Sequence, residues 1–245
     1  MTRVLFLVVL TLVGCGSAGR STPARTPTPT LFVTTTAPTI TPARPTPAFR
    51  YVAIGASDAV GVGAADPRTG SWPARIAARL PAGSDYVNAA VSGSQAAQAA
   101  REQTPAAAGL RPQLVTVWLA VNDLNAGVPS TEYAAALRAV LEPLILKTDA
   151  RIFVGTVPDL RTVPAYAGTD QSALLAKINA YNAAIQTLTV LFAGRVTAVD
   201  LFTGSAALVS TMTVSGDGFH PSDAGYALIA DRFATAIAAA GIPLR

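Results

Sequence analysis

The feature that most constrains this chain is an alternation of short apolar runs with segments of helical period. QLVTVWLAV (Gln113–Val121) is, past its first residue, apolar except for Thr116. A strand with one wet face alternates apolar and polar residues, so a continuous run marks a strand covered on both faces. RYVAIG, DYVNAAV, RIFVGTV and RVTAVDL read as four further strands. Between them WPARIAARL places Trp72, Ile76 and Leu80 at helical spacing. TEYAAALRAVLEPLIL reads as a helix from Thr131 that Pro143 kinks or ends, and DQSALLAKINAYNAAIQTLTVLF as a long helix. A last helix follows HPSD, with Tyr226, Ile229, Ala230, Phe233 and Ile237 on one face and Gly241 and Pro243 marking its end. Strands alternating with helices predict an α/β domain: three layers, α/β/α, around a mainly parallel five-stranded sheet. In such sheets functional groups collect in loops at the carboxyl ends of strands.

Residues 1–48 stand apart from that pattern. Arg3 is followed by VLFLVVLTLV (Val4–Val13), ten residues against the roughly 20 that a spanning helix needs, so the segment reads as a secretory signal. LVGC (Leu12–Cys15) resembles a bacterial lipobox, which implies that residues 1–14 are removed and Cys15 is lipidated. Cys15 is the sole cysteine, which excludes an intramolecular disulfide. Of the 28 residues from Ser21 to Ala48, 17 are Thr or Pro. So little apolar surface predicts a semi-rigid disordered linker over residues 15–48. Its 33 residues after Cys15 reach roughly 100 Å when extended at about 3.1 Å each. The formal charge of +4 lies here too: residues 1–48 hold four arginines and no acid, which leaves 14 bases against 14 acids in residues 49–245. A neutral domain offers no basic face to nucleic acid.

The strand ends of residues 49–245 carry a set of polar residues. Ser57 follows the first strand in FRYVAIGASDAVGVG. Asn88, Ser92 and Gly93 follow the second in NAAVSGSQ, and Asn122 and Asp123 the third in AVNDLN. Asp217 and His220, the sole histidine, stand in DGFHPSDAGY before the last helix. These blocks, in this order, resemble the SGNH (GDSL-type) hydrolase family across nearly all of Arg50–Arg245. The resemblance implies a flavodoxin-like fold, Ser57 as nucleophile, Asp217 and His220 as acid and base, and Gly93 and Asn122 with Ser57 as the oxyanion hole. Two positions depart from the family's pattern. Its common GDS reads GAS, with Ala56 in the middle, and its GxND reads Ala120-Val121-Asn122-Asp123. A methyl at Ala120 bears on the acyl pocket or on the Asn122 backbone.

The chemistry is intelligible without the family. A serine hydroxyl needs a base to attack an ester at neutral pH, and an imidazole is suited to that task. A carboxylate three residues before His220 can reach Nδ1 and fix the tautomer. The Ser57 and Gly93 N–H groups and the Asn122 amide can supply three donors to an oxyanion. Gly93 fits a close approach of backbone to ligand. More ordinary roles suit other residues: Asp58 orders its turn, Asp123 anchors its loop, Asn179 and Asn182 bind nearby backbone, and Trp72 and Trp118 are core. No His/Cys cluster offers metal ligands, and no phosphate-binding glycine loop follows the first strand, so no cofactor is expected. The sequence therefore predicts a monomeric, lipid-anchored, extracytoplasmic serine esterase at the cell membrane, acting on a small ester or an acylated glycan or lipid. Short connections without a lid suggest acetyl or butyryl groups. The alternative is a surface-displayed binding lipoprotein that holds such an ester without turning it over.

Overall fold

The computed structural model describes residues 49–209 and 214–245. The signal segment, Cys15 and the Thr/Pro-rich linker lie outside the described residues.

The elements follow in the order β1 (Phe49–Gly55), α1 (Ser57–Val60), α2 (Pro67–Gly70), α3 (Trp72–Ala77), β2 (Ser84–Asn88), α4 (Ala96–Gly109), β3 (Leu114–Trp118), α5 (Val121–Asn125), α6 (Ser130–Lys147), β4 (Arg151–Gly155), two 3-10 turns (Leu160–Thr162 and Pro164–Tyr166), α7 (Gln171–Leu191), β5 (Val196–Val199), α8 (Ser205–Leu208) and α9 (Asp223–Ala239). The five strands are all parallel in the order β2-β1-β3-β4-β5.

Strand alternation divides the core. Val52, Ile54, Val115, Val117, Ile152 and Val154 face α4, α6 and α7, where they meet Ala99, Leu137 and Ile178. Tyr51, Ala53, Leu114 and Phe153 point the other way, to Trp72 and Ile76 of α3 and Tyr226, Phe233 and Ile237 of α9. Right-handed crossovers account for the layering. The step from β1 to β2 carries α3 on one face; β3, β4 and β5 then add on the other side of β1, which sends their helices to the opposite face. Thr116, the one polar residue of its run, is fully buried, and its Oγ1 lies 2.8 Å from the hydroxyl of Tyr51.

Two details depart from the sequence reading. Helix α6 runs past Pro143 to Lys147, so the proline does not end it. Helix α4 was not expected between the second and third strands. Its buried residues are Ala96, Ala99, Gln103, Thr104, Ala107 and Ala108, so it carries no stripe of large apolar side chains, and Pro105 lies inside it. Small residues let it pack closely on α6 and on β1.

The strand order reverses between β1 and β3, and the crevice outside their carboxyl ends is the favoured ligand position of such sheets. Ser57 stands after β1 and Asn122 after β3.

Candidate active site

Strand β1 ends at Gly55, where a Cβ would lie 2.6 Å from that of Ala59. The chain can therefore turn at once into α1, which Ser57 opens. The first N–H groups of a helix precede any intrahelical acceptor, so the Ser57 amide faces outward from this turn. Asp58 accepts from the Ala59 N–H at 2.7 Å, and the Asn88 amide donates to the Ala59 carbonyl at 2.7 Å, which ties the turn to the end of β2.

His220 and Asp217 sit in a tight loop before α9. The Ser215 N–H donates to the His220 carbonyl at 2.8 Å, Val214 and Pro221 form an antiparallel bridge, and Gly218 takes φ +72°. Ser222 caps α9 through the Gly225 N–H. The loop is fastened to the nucleophile's turn at several points. Tyr226 donates to the Val62 carbonyl at 2.5 Å, and Asp223 accepts from the Ala65 N–H at 3.1 Å and from Arg75 at 3.2 Å. Gly63 completes the fit: a Cβ there would lie 2.6 Å from the Pro221 carbonyl oxygen.

These supports bring three side chains into one hydrogen-bonded series. His220 Nε2 lies 2.9 Å from Ser57 Oγ, and His220 Nδ1 lies 2.6 Å from Asp217 Oδ2. The other carboxylate oxygen, Oδ1, accepts from Ser215 Oγ at 2.8 Å and from the N–H groups of Phe219 and His220 at 2.8 and 2.9 Å. Desolvation of Asp217 favours the neutral acid, but the hydrogen bonds from His220, Phe219 and Ser215 outweigh it and hold the carboxyl well below the usual carboxylate range. An ionised Asp217 places the proton of neutral His220 on Nδ1, which leaves Nε2 to accept from Ser57. Phe219 meets the imidazole edge-on, with ring centres 4.8 Å apart.

Asn122 lines the same cavity as Ser57 and His220. One hydrogen of its amide goes to the Ser94 carbonyl at 3.0 Å, which orients the group and leaves a second hydrogen for a ligand. Gly93 precedes Ser94 in a turn closed by Ser94 N–H to the Val91 carbonyl. Gly93 does not itself line the cavity. The reason for glycine there also differs from the expectation. A Cβ would meet nothing within 4 Å, whereas φ is +79°, so the backbone conformation rather than close contact calls for glycine. Ala120 takes φ 74° and ψ −49°, and the Val121 N–H donates to the Leu119 carbonyl at 2.9 Å. This is a γ-turn of the strained, positive-φ kind, held by an alanine whose methyl is fully buried in the core. Asn122 follows the turn and lines the cavity, whereas Ala120 packs in the core and does not line it.

Sequence reading passed over one residue that links these parts. Gln103 of α4 is 2 % exposed. Its Oε1 accepts from the Gly55 N–H at 3.0 Å, and its Nε2 donates to the Gly55 carbonyl and to Ser94 Oγ, each at 3.0 Å. A side-chain amide thus mimics a neighbouring strand at the end of β1 and joins the nucleophile's turn to the Gly93 turn. Asp123 adds a second tie, accepting from the Ala96 N–H at 3.0 Å at the start of α4. No motif marks Gln103; only the register of α4 on β1 shows it. Asn182 fulfils its expected backbone role, bonding both the N–H and the carbonyl of Val157. Among the described residues no group of three His, Cys, Asp or Glu side chains comes together to hold a metal ion.

Ser57, His220 and Asp217 thus form one hydrogen-bonded series beside the point where the order of a parallel sheet reverses. The sequence pattern of the GDSL-like lipase/acylhydrolase family matches residues 53–228, and the chain belongs to that family of ester-hydrolysing enzymes. Solved structures of the same fold include a psychrotrophic esterase, EstA, from Pseudoalteromonas (17 % identity, TM-score 0.60, covering 78 % of this chain and 97 % of that one). They also include the lipase Lip_vut3 from a goat rumen metagenome (17 %, 0.62, 80 % and 98 %). A third is an acetyl-xylooligosaccharide esterase from Geobacillus (19 %, 0.62, 78 % and 94 %). No curated protein sequence matches the chain.

Proposed function

We propose that this protein is an extracytoplasmic serine ester hydrolase acting through Ser57, His220 and Asp217. The observation that carries the reading is the series from Ser57 Oγ to His220 Nε2 at 2.9 Å and from His220 Nδ1 to Asp217 Oδ2 at 2.6 Å. As Ser57 Oγ bonds to the ester carbonyl carbon, its proton passes to Nε2. The carbonyl oxygen becomes an oxyanion, which the Ser57 and Gly93 N–H groups and the Asn122 amide stabilise. Asp217 steadies the imidazolium. His220 then returns the proton to the departing alkoxide, and an alcohol leaves an acyl-Ser57 ester. Water, deprotonated by the same Nε2, attacks that ester; the acid departs and Ser57 recovers its proton.

The test is covalent labelling of the full chain by a fluorophosphonate, followed by mapping of the adduct. We expect a single adduct on Ser57 and loss of ester hydrolysis with it. An unlabelled Ser57 in a protein that still binds esters would instead support the binding lipoprotein.

Location is the second part of the proposal. The apolar segment Val4–Val13 followed by LVGC supports a lipid anchor on Cys15, with the Thr/Pro-rich stretch as spacer. Such anchoring comes from burying acyl methylenes at about 0.8 kcal/mol each. Cys15→Ser should release the protein from membranes with its esterase activity intact; full retention on membranes after high-salt washing would refute the anchor.

A further inference from the structure

We propose that the cavity beside Ser57 is an acyl pocket selecting esters of unbranched acids of about six carbons, a size that follows from its volume. The proposal rests on the serine ester hydrolase reading and adds the substrate class to it. The cavity measures about 140 Å³. It starts at Ser57, Asn122 and His220 and is walled by Trp118, Leu119, Leu160, Val163, Leu201 and Ile229. These residues stand at or beyond the carboxyl ends of β3, β4 and β5 and on α9. The pocket thus crosses the sheet from β1 towards β5, three strand spacings or roughly 14 Å.

Its size and its polarity decide the ligand. An apolar cavity of about 150 Å³ holds a benzene ring, so this one matches roughly six carbons, far more than the methyl of an acetate. Two polar side chains on the wall away from the nucleophile are already engaged. Ser205 Oγ donates to the Phe202 carbonyl at 2.7 Å and accepts from the Asp159 N–H at 2.8 Å. Arg232 donates to the carbonyls of Asp200 and Thr203 at 2.9 and 2.7 Å. The walls are otherwise apolar, so a sugar seated there would lose water from its hydroxyls and regain few hydrogen bonds, whereas a hydrocarbon chain loses nothing. The wall is also built firmly. Trp118 Nε1 donates to the Thr156 carbonyl at 3.2 Å. Gly155 leaves room for Trp118 and Leu201 to meet, since a Cβ on it would lie 2.7 Å from Trp118 Cδ1 and 3.0 Å from Leu201 Cδ1. The cavity therefore argues for longer chains than the acetyl or butyryl groups of an open site.

The experiment is hydrolysis of p-nitrophenyl acetate, butyrate, hexanoate, octanoate and laurate by the full chain. We expect kcat/KM to rise about fourfold per added methylene as far as hexanoate, the factor for burying one such group, and to fall by laurate. An optimum at acetate, or a flat profile, would overturn the proposal. Leu160→Trp and Val163→Phe fill the pocket and should each lower the hexanoate-to-acetate ratio of kcat/KM at least tenfold; an unchanged ratio in a folded variant speaks against it. A measurement on the unaltered protein guards against misfolded variants: a hexylphosphonate ester should label Ser57 faster than its methyl counterpart, and the reverse order refutes the pocket. Failure of every ester and every phosphonate would remove the serine hydrolase reading itself. Labelling of Ser57 with a preference for acetate would remove only the acyl pocket.

Discussion

Asp58, the neighbour of Ser57, allows a quantitative test of the site's electrostatics. It is half-buried and lines the same cavity. Burial pushes its carboxyl from 3.8 up to about 7, against the Ala59 N–H, which favours the anion. The folded protein thus retains a proton between pH 4 and 7 that the unfolded chain has released. Stability is then full below about pH 4, declines as pH rises, and levels off above about 7. At 1.36 kcal/mol for each tenfold step in acidity, the whole displacement corresponds to about 4 kcal/mol. Solvent reaches a half-buried carboxylate, so we take about half of that, ~2 kcal/mol, as the expected effect. Asp58→Asn keeps an acceptor for the Ala59 N–H and removes the ionisation. Its melting temperature should match the parent at pH 4 and exceed it by roughly 4–8 °C at pH 9, at about 2–4 °C per kcal/mol for a domain of this size. Activity offers a second readout. An anion beside the developing oxyanion opposes catalysis, so hydrolysis by the parent should decline above about pH 7 and that decline should vanish in Asp58→Asn. Two stability curves offset by the same amount at pH 4 and 9 would refute the argument, because Asp58 would then titrate alike in both states.

Other substitutions probe the remaining parts of the machinery. Asn122→Ala should lower kcat about 10²–10³-fold with little change in KM, because the amide meets charge that develops only in the transition state; an effect confined to KM in steady-state kinetics would refute that role. His220→Ala and Asp217→Asn should each remove most of the turnover, and the double variant should lose no more than His220→Ala alone, since groups acting as one unit do not add; additive losses would break the series apart. Gln103→Met strands the Gly55 N–H, while the Gly55 carbonyl keeps the Val91 N–H at 3.2 Å, and should cost about 1–3 kcal/mol in urea unfolding. It should also lower kcat more than it raises KM, whereas a purely structural glutamine would change stability alone.

The core of this fold was legible because it depends on side-chain period. A parallel strand buried on both faces must be apolar throughout, so Leu114–Trp118 and Ile152–Val154 declare themselves, as does the single-faced stripe of α9. The order of the blocks holding Ser57, Gly93, Asn122, Asp217 and His220 is likewise a property of the chain, since each adjoins an element that the pattern locates. Other features belong to the tertiary structure. Helix α4 escaped notice because its inner face is made of Ala96, Ala99, Gln103, Thr104 and Ala107, and small or amide side chains leave no hydrophobic period. Gln103 becomes meaningful only when α4 lies against β1 and its amide meets the Gly55 peptide. The contortion of Ala120 and the positive φ of Gly93 are backbone states that neighbouring packing imposes. The acyl cavity is assembled from Trp118, Leu160, Leu201 and Ile229, residues far apart in the chain whose spacing carries no signal. Periodicity records which face of an element is buried, whereas the shape of the space between elements depends on which of them meet.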